Sequence, residues 1–497
     1  FSFEQNPDWT REYPGQEEIL TYLRGVAEKW SLYKHIRFNS AVDEARWDDA
    51  EKKWKVDVKV VGAKDSEFCP EYTITADFLV SAVGQLNMPR YPDIEGLDSF
   101  KGKKMHSARW DWSYDMKGKK IGMIGNGATA AQILPEIAKV ASSVTVYQRS
   151  PNWVIPREDK AVGPLKRAVF RYLPPIRWKS RALMMDFRES FYDAVIDGQS
   201  PFAGMIREMC IGQMHAQLPG KEDLWQKLTP DYNPGCKRII ISDDYYPAIA
   251  RDNVSLETRK IERITESGID VEGGHEDYDM LVLATGFRTV EFMHPIKIIG
   301  ANGRPLSEIW DGGARAYQGT CVEDLPNFGM LYGPNTNLGH NSIILMIESQ
   351  SRYLNGLISA VLAARRSSRS LSLKPKPDVI KVYNERIQAV LQNSSFADPK
   401  CNSWYKNKDG IITNNWSGTV VEYQQQLSEV DFDDYIIEGD GANAVMGGSK
   451  RKINVGRVVE ESQVSLTTMA VTAVGVAALA GGMLLRNTRF MESVRVR

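Results

Sequence analysis

Residues 125–130, Gly-Asn-Gly-Ala-Thr-Ala, have the types and spacing of a turn that holds phosphate. Gly125 permits a tight turn, Gly127 lets backbone approach a pyrophosphate, and Ala130 lets the following helix pack closely on a strand, with the free amides of the helix N-terminus facing the anion. The next strand, 144–147, runs into Gln148, Arg149 and Ser150, at the position where NAD-binding proteins place an acid for the ribose 2′-hydroxyl. A cation with two hydrogen-bonding neighbours suits a 2′-phosphate instead, so the pattern predicts NADPH as the nicotinamide cofactor.

The surrounding elements supply the context this turn needs. Residues 119–124 form a short apolar strand and 128–140 carry the Ala, Ile and Leu spacing of a helix on a sheet, which completes strand, glycine turn and helix. Two apolar strands flank the unit: 77–84, DFLVSAVG, ending at Gly84, and 279–286, DMLVLATG, ending at Gly286. Upstream, 16–30 has amphipathic helical spacing, and 42–47 with 54–61 alternate around the polar turn DDAEKK as a hairpin. Residues 163–228 are poor in strand signals and carry helical apolar spacing at Leu183, Met184, Phe187, Phe191 and Tyr192, the pattern of a helical insertion able to wall a substrate pocket. Residues 331–350 join a Gly/Asn loop, with Asn335 and Asn341, to a helix predicted from about 342 to 364. A second GxGxxA match at 439–444 is followed by GGSKRK, which predicts a linker rather than a nucleotide turn.

Composition bounds the alternatives. With 497 residues, 42% of them hydrophobic and 25% charged, the chain has the make-up of a globular protein of two or three domains. A formal net charge of −1 provides no basic field for nucleic acid. Cys69, Cys210, Cys236, Cys321 and Cys401 are scattered, with no CxxC and no His at ligand spacing, so a reducing compartment is expected, without a zinc site or a disulfide framework.

A second signal precedes the glycine turn. Phe100, Gly102, His106, Trp110 and Asp111 match the fingerprint FxGxxxHxxxW(P/D), and on these residues the chain resembles the Baeyer-Villiger monooxygenases, class B flavoenzymes related to the flavin-containing monooxygenases. The resemblance implies an α/β, two-dinucleotide-binding architecture with Rossmann-like domains for FAD and NADPH, in which reduced flavin and O2 insert oxygen beside a ketone carbonyl to give an ester or lactone, with no metal. His106 is then the linker histidine that couples the two domains. Gly84 and Gly286 mark the two crossings between domains, where backbone passes close to cofactor. In GCKR, 235–238, Lys237 takes the place of a lysine near the NADP 2′-phosphate and Arg238 that of the catalytic cation over the flavin. Asn335 and Asn341 lie on the loop and helix start brought against the isoalloxazine ring, and Trp404 and 414–416 on the segment lining the pocket. Oxidation of nitrogen or sulfur is the alternative within the same chemistry.

The domain organisation implied is a remnant of an FAD domain at 1–84, an interdomain linker at 85–117, an NADP domain at 118–286 containing the helical insertion, a return to the FAD domain at 287–432 and a linker at 433–463. Members of the family begin with a strand, GxGxxG and helix for FAD, which this sequence does not contain, so the FAD domain is expected to lack its pyrophosphate site and the chain by itself not to hold FAD. A non-catalytic, membrane-tethered NADPH-binding protein is the corresponding alternative of another class. The uncharged run 464–485 is long enough to span a bilayer and predicts a tail anchor on the cytosolic face of a membrane.

Overall fold

The computed structural model describes residues 1–61, 70–401, 403–446 and 451–462. A five-stranded sheet organises the inner part of the chain, in the order Val254–Glu257, Ser143–Tyr147, Lys120–Ile124, Met280–Leu283, Lys103–His106. Every neighbouring pair is parallel. A parallel sheet is covered on both faces, which is why its strands read as continuous apolar runs rather than alternating ones. All four residues of Met280–Leu283, an interior strand of the sheet, are buried. The helix Ala128–Ile137 makes the crossover between Lys120–Ile124 and Ser143–Tyr147, packing Ala130, Ala131, Leu134 and Ile137 on the sheet.

The outer part holds a four-stranded sheet in which the hairpin Ser40–Asp48 and Lys53–Val60 is extended by Glu71–Ala76 on one side and by Lys297–Ile299, parallel, on the other. Trp47 and Trp54 face each other across the hairpin, and the buried Trp54 Nε1 donates to the Pro326 carbonyl at 2.9 Å. A second outer core forms around the 24-residue helix Ile343–Arg366 and the helix Pro377–Leu391. The insertion between the nucleotide strands is helical as expected, with Pro164–Tyr172, Pro174–Glu189, Tyr192–Ile196, Pro201–Gln217 and Glu222–Leu228.

Four expectations change. The fingerprint is not a free linker, because Lys103–His106 pairs along its length with Met280–Leu283 and forms an edge of the inner sheet. The strand expected over 77–84 is reduced to Leu79–Ser81, pairs only with Phe328–Met330, and leaves Val80 exposed rather than buried. The described residues of 433–463 are packed rather than a bare linker. Tyr435–Glu438 pairs with Ser372–Pro375, Lys452–Asn454 pairs with Glu429–Asp431, and Tyr435 is buried. Finally, Cys236 and Cys401 form a disulfide, and among the described residues Cys210 and Cys321 are buried free thiols. The bridge spans 165 residues, so no local spacing could announce it. The run 464–485 lies outside the described residues. Among the described residues no helix is long and apolar enough to cross a membrane.

Candidate active site

The glycine turn has the geometry its residues imply. Gly125 has φ +107°, and a Cβ there would stand 2.5 Å from the Ala284 carbonyl oxygen, so only glycine fits between the turn and the end of the strand Met280–Leu283. Gly127 is the N-cap of Ala128–Ile137 and supplies no side-chain cap, and a Cβ on it would meet nothing within 4 Å. Free amides beside open space are what an anion requires. Asn126 Nδ2 donates to Gln148 Oε1 at 2.8 Å and to the Ser150 carbonyl at 2.9 Å, which ties the turn to the end of the neighbouring strand.

Two cations meet at that end. Lys237 Nζ donates to Ser150 Oγ at 2.8 Å and lies 4.7 Å from the centre of the Tyr232 ring. Burial and, next, the charge of Arg149 push the Lys237 ammonium down to about 8. Two like charges gathered near one serine hydroxyl repel each other, and a phosphate dianion placed between them would relieve that repulsion. Asn126 thus links the turn at Gly125 and Gly127 to Ser150, which Lys237 also reaches and near which Arg149 acts, while Ala130 is buried between helix and sheet.

A second cluster surrounds the crossings. Gly84 and Gly286 have φ of +71° and +81°, and neither has an atom within 4 Å of where a Cβ would sit, so both backbones are open to an approaching group. The two crossing segments lie side by side: Pro89 bridges Phe287 in antiparallel sense, Arg90 N donates to the Gly286 carbonyl at 2.9 Å and Arg288 N to the Met88 carbonyl at 2.9 Å. His106, buried at the end of its strand, packs against Tyr91 and Phe287 from these segments. Its Nδ1 accepts from Ala108 N at 3.1 Å, which leaves the proton of the neutral ring on Nε2. Nε2 is buried beside the Gly286 and Arg90 carbonyls without a hydrogen bond, and burial lowers the affinity of the ring for a second proton. The rest of the fingerprint is structural. The Phe100 ring occupies the space where a Cβ on residue 102 would have to go, and the Asp279 carbonyl bars it from the other side. Asp111 is gripped by Lys103 at 2.5 Å and by Ser113 Oγ at 2.6 Å, donors that hold its carboxyl down to about 2.

Arg238 points its influence the other way from Lys237. It is exposed, and its positive charge acts on the hydroxyls of Tyr332 and Tyr405, opposing the burial that raises both. Residues 335–337 run alongside 413–416: Asn335 N donates to the Thr413 carbonyl, Asn337 N to that of Asn414, and Trp416 N to that of Asn337, at 2.8, 2.8 and 2.9 Å. Gln85, next to Gly84, joins this region through Nε2 to the Tyr332 carbonyl at 3.1 Å, while its Oε1 accepts from Asn414 Nδ2 at 3.3 Å.

The side-chain amides of Asn335 and Asn341 are engaged by other segments of the chain. Asn335 Nδ2 donates to the carbonyls of Ile412 and Asn415, so this amide holds the C-terminal segment. Asn341 Nδ2 donates to Glu189 Oε2 at 2.7 Å, on the insertion helix Pro174–Glu189. Ser342 Oγ caps the helix Ile343–Arg366 by accepting from Leu345 N, so that helix start is not fully free. Glu189 also accepts from Val421 N at 3.2 Å, and the buried His340 lies 3.5 Å away. Burial acts to raise the Glu189 carboxyl, but the His340, Asn341 and Val421 donors outweigh it and hold it below its ordinary value. Gln85, Tyr332, Tyr405, Glu189 and His340 carried no sequence signal, since each is a common residue type whose role arises only from contacts distant in the chain.

Residues 3–174 match the family model described as flavin-binding monooxygenase-like. The chain is 54% identical over 492 residues to the FAD-binding monooxygenase ktnD of Aspergillus niger, covering 99% of this chain and 80% of that protein. It is 38% identical over 438 residues to a Baeyer-Villiger monooxygenase of Streptomyces coelicolor, covering 88% and 81%. The solved structure of OTEMO in complex with FAD and NADP superposes with a TM-score of 0.74 at 25% identity, covering 87% of this chain and 86% of that one.

Proposed function

This chain belongs to the family of flavin-binding monooxygenases, and from that premise we propose that it inserts one oxygen atom of O2 into a ketone, with NADPH and FAD as cofactors, giving an ester or lactone. Family membership replaces the alternative of a non-catalytic NADPH-binding protein. The observation that carries the finer reading is the division of labour between two adjacent cations. Lys237 reaches Ser150 at the nicotinamide-nucleotide turn, while the charge of Arg238 acts on Tyr332 and Tyr405 beside the crossing at Gly84 and Gln85.

Bound FAD, reduced by NADPH, supplies the activation of oxygen. The protein's own residues bind and polarise. Gly125, Gly127 and the start of Ala128–Ile137 receive the NADP pyrophosphate, and Arg149, Ser150 and Lys237 receive its 2′-phosphate. Gly84 and Gly286 give backbone access at the two crossings, and His106 braces the crossings against the inner sheet through Tyr91 and Phe287. Arg238 would supply the positive charge that favours negative charge at the ketone oxygen when the cofactor is bound. Asn335 and Asn341 hold in place the loop 331–342, which on this reading lies against the flavin.

The test is Arg238→Ala in the chain joined to the strand, GxGxxG turn and helix that hold FAD in this family and that the sequence does not contain. Loss of one preorganised electrostatic group costs roughly 3–4 kcal/mol, two to three decades in rate. Ester formation from a ketone should fall by that factor, with NADPH oxidation continuing into hydrogen peroxide and both cofactors still bound. Near-normal ester yield removes Arg238 from the reaction, and turnover of a thioether with none of a ketone assigns the enzyme to heteroatom oxidation.

A further inference from the structure

We propose that the Cys236–Cys401 disulfide is a positioning element for cofactor choice, fastening the segment that carries Lys237 and Arg238 to the outer domain so that Lys237 is held at the 2′-phosphate cradle. The inference rests on the reading of Lys237 as a phosphate ligand. Left to itself, this lysine has reason to leave. It is pushed toward solvent by the loss of water around its ammonium and by Arg149, and its long stem offers an easy exit. Its own restraints are one hydrogen bond to Ser150 and the face of Tyr232. The backbone around it belongs to no strand until Ile240–Ile241.

The disulfide supplies the missing restraint one residue away. Cys236 is fully buried and Cys401 nearly so, and the bond joins the inner part of the chain to the segment that carries Tyr405. A neighbouring contact runs in the same direction. Asn233 N donates to Asp398 Oδ2 at 3.1 Å, three residues from Cys236 on one side and three from Cys401 on the other. The two cations are therefore fixed from the outer side while the glycine turn fixes the nucleotide from the inner side. Cys236 and Cys401 touch no cofactor in this scheme and act only through their neighbours.

The experiment measures equilibrium binding of NADP+ and NAD+ to the oxidised protein, to Cys401→Ser, to Lys237→Met and to the double variant, together with peptide mapping of the unreduced protein. Mapping should recover a Cys236–Cys401 linked peptide. Cys401→Ser should weaken NADP+ about ten-fold and leave NAD+ within about two-fold, the latter reporting an intact glycine turn. Lys237→Met should weaken NADP+ selectively in the parent and by a clearly smaller factor when Cys401 is already replaced, because the two changes act on one interaction. If Lys237→Met leaves the NADP+ to NAD+ ratio unchanged, the reading of the lysine fails and the proposal with it. If Lys237→Met lowers that ratio but Cys401→Ser does not, the lysine reading stands and the positioning role is overturned. Recovery of Cys236 and Cys401 only as free thiols, or equal weakening of both nucleotides by Cys401→Ser, also overturns it.

Discussion

Raising the pH should switch off one of the two charges that select NADP, and the size of the effect follows from the site. Lys237, with its ammonium lowered to about 8, is about nine-tenths protonated at pH 7 and about one-tenth at pH 9. A bound 2′-phosphate, fully ionised over this range, restores the lysine toward its ordinary pKa near 10.4. The free protein must then take up a proton to bind, so the dissociation constant for NADP+ should rise about ten-fold between pH 7 and 9 while that for NAD+ stays level. Titration calorimetry in buffers of different ionisation enthalpy should show uptake of about 0.9 proton per NADP+ at pH 9 and about 0.1 at pH 7. Lys237→Arg, charged throughout, should give a flat profile. The same shift carries the opposite sign for stability: between about pH 8 and 10.5 the unfolded chain binds more protons at this residue than the folded one, so the lysine's contribution to stability rises with pH as its contribution to affinity falls. A flat NADP+ profile to pH 9.5, or a parallel slope for NAD+, would refute the reasoning.

Gly125→Ala should lose NADP+ binding and about 1–3 kcal/mol of stability from backbone strain alone, since φ is +107° and the new Cβ meets the Ala284 carbonyl; thermal unfolding and nucleotide titration check both. Glu189→Ala removes both acceptors and leaves Asn341 Nδ2 and Val421 N without their partner, a cost of about 1–3 kcal/mol, seen as faster hydrogen exchange at the Val421 amide. Protection at Val421 equal to that of the parent protein would mean that this carboxylate is not the latch between the insertion and the C-terminal segment. Trp54→Phe should destabilise the outer domain, because the Pro326 carbonyl loses its buried donor, with no change in NADP+ affinity.

What could be read in advance followed the range of the interactions. The glycine turn was legible because its demands are local, and Gly125, Gly127 and Ala130 answer to neighbours fixed by the strand, turn and helix they belong to. Arg149 was legible as the end of a strand, and Lys237 only through family resemblance, since nothing at position 237 shows that it will meet Ser150. The disulfide and the Glu189 junction were hidden for the same reason, each joining residues more than 150 apart. The fingerprint was recognised as a pattern, yet its function as a sheet edge was missed. Only the pairing with Met280–Leu283 explains why Gly102 and Asp111 must be what they are.

The side-by-side crossings have a consequence for how the chain acquires its structure. The segment between them enters and leaves the outer domain at neighbouring points, because Arg90 is hydrogen-bonded to Gly286 and Arg288 to Met88. A unit whose two ends meet has the anatomy of an inserted domain, one that can fold alone. Before it folds, the two halves of the outer domain are separated by a loop of nearly two hundred residues, and strands such as Leu79–Ser81 and Phe328–Met330 must find each other across it. Once it has folded, that loop is replaced by a short clasp. The connectivity predicts an order of events in which the nucleotide domain assembles first and delivers the halves of its neighbour to one another; pulse-labelled hydrogen exchange during refolding should then show protection in the inner sheet before the outer one, and the reverse order would refute it.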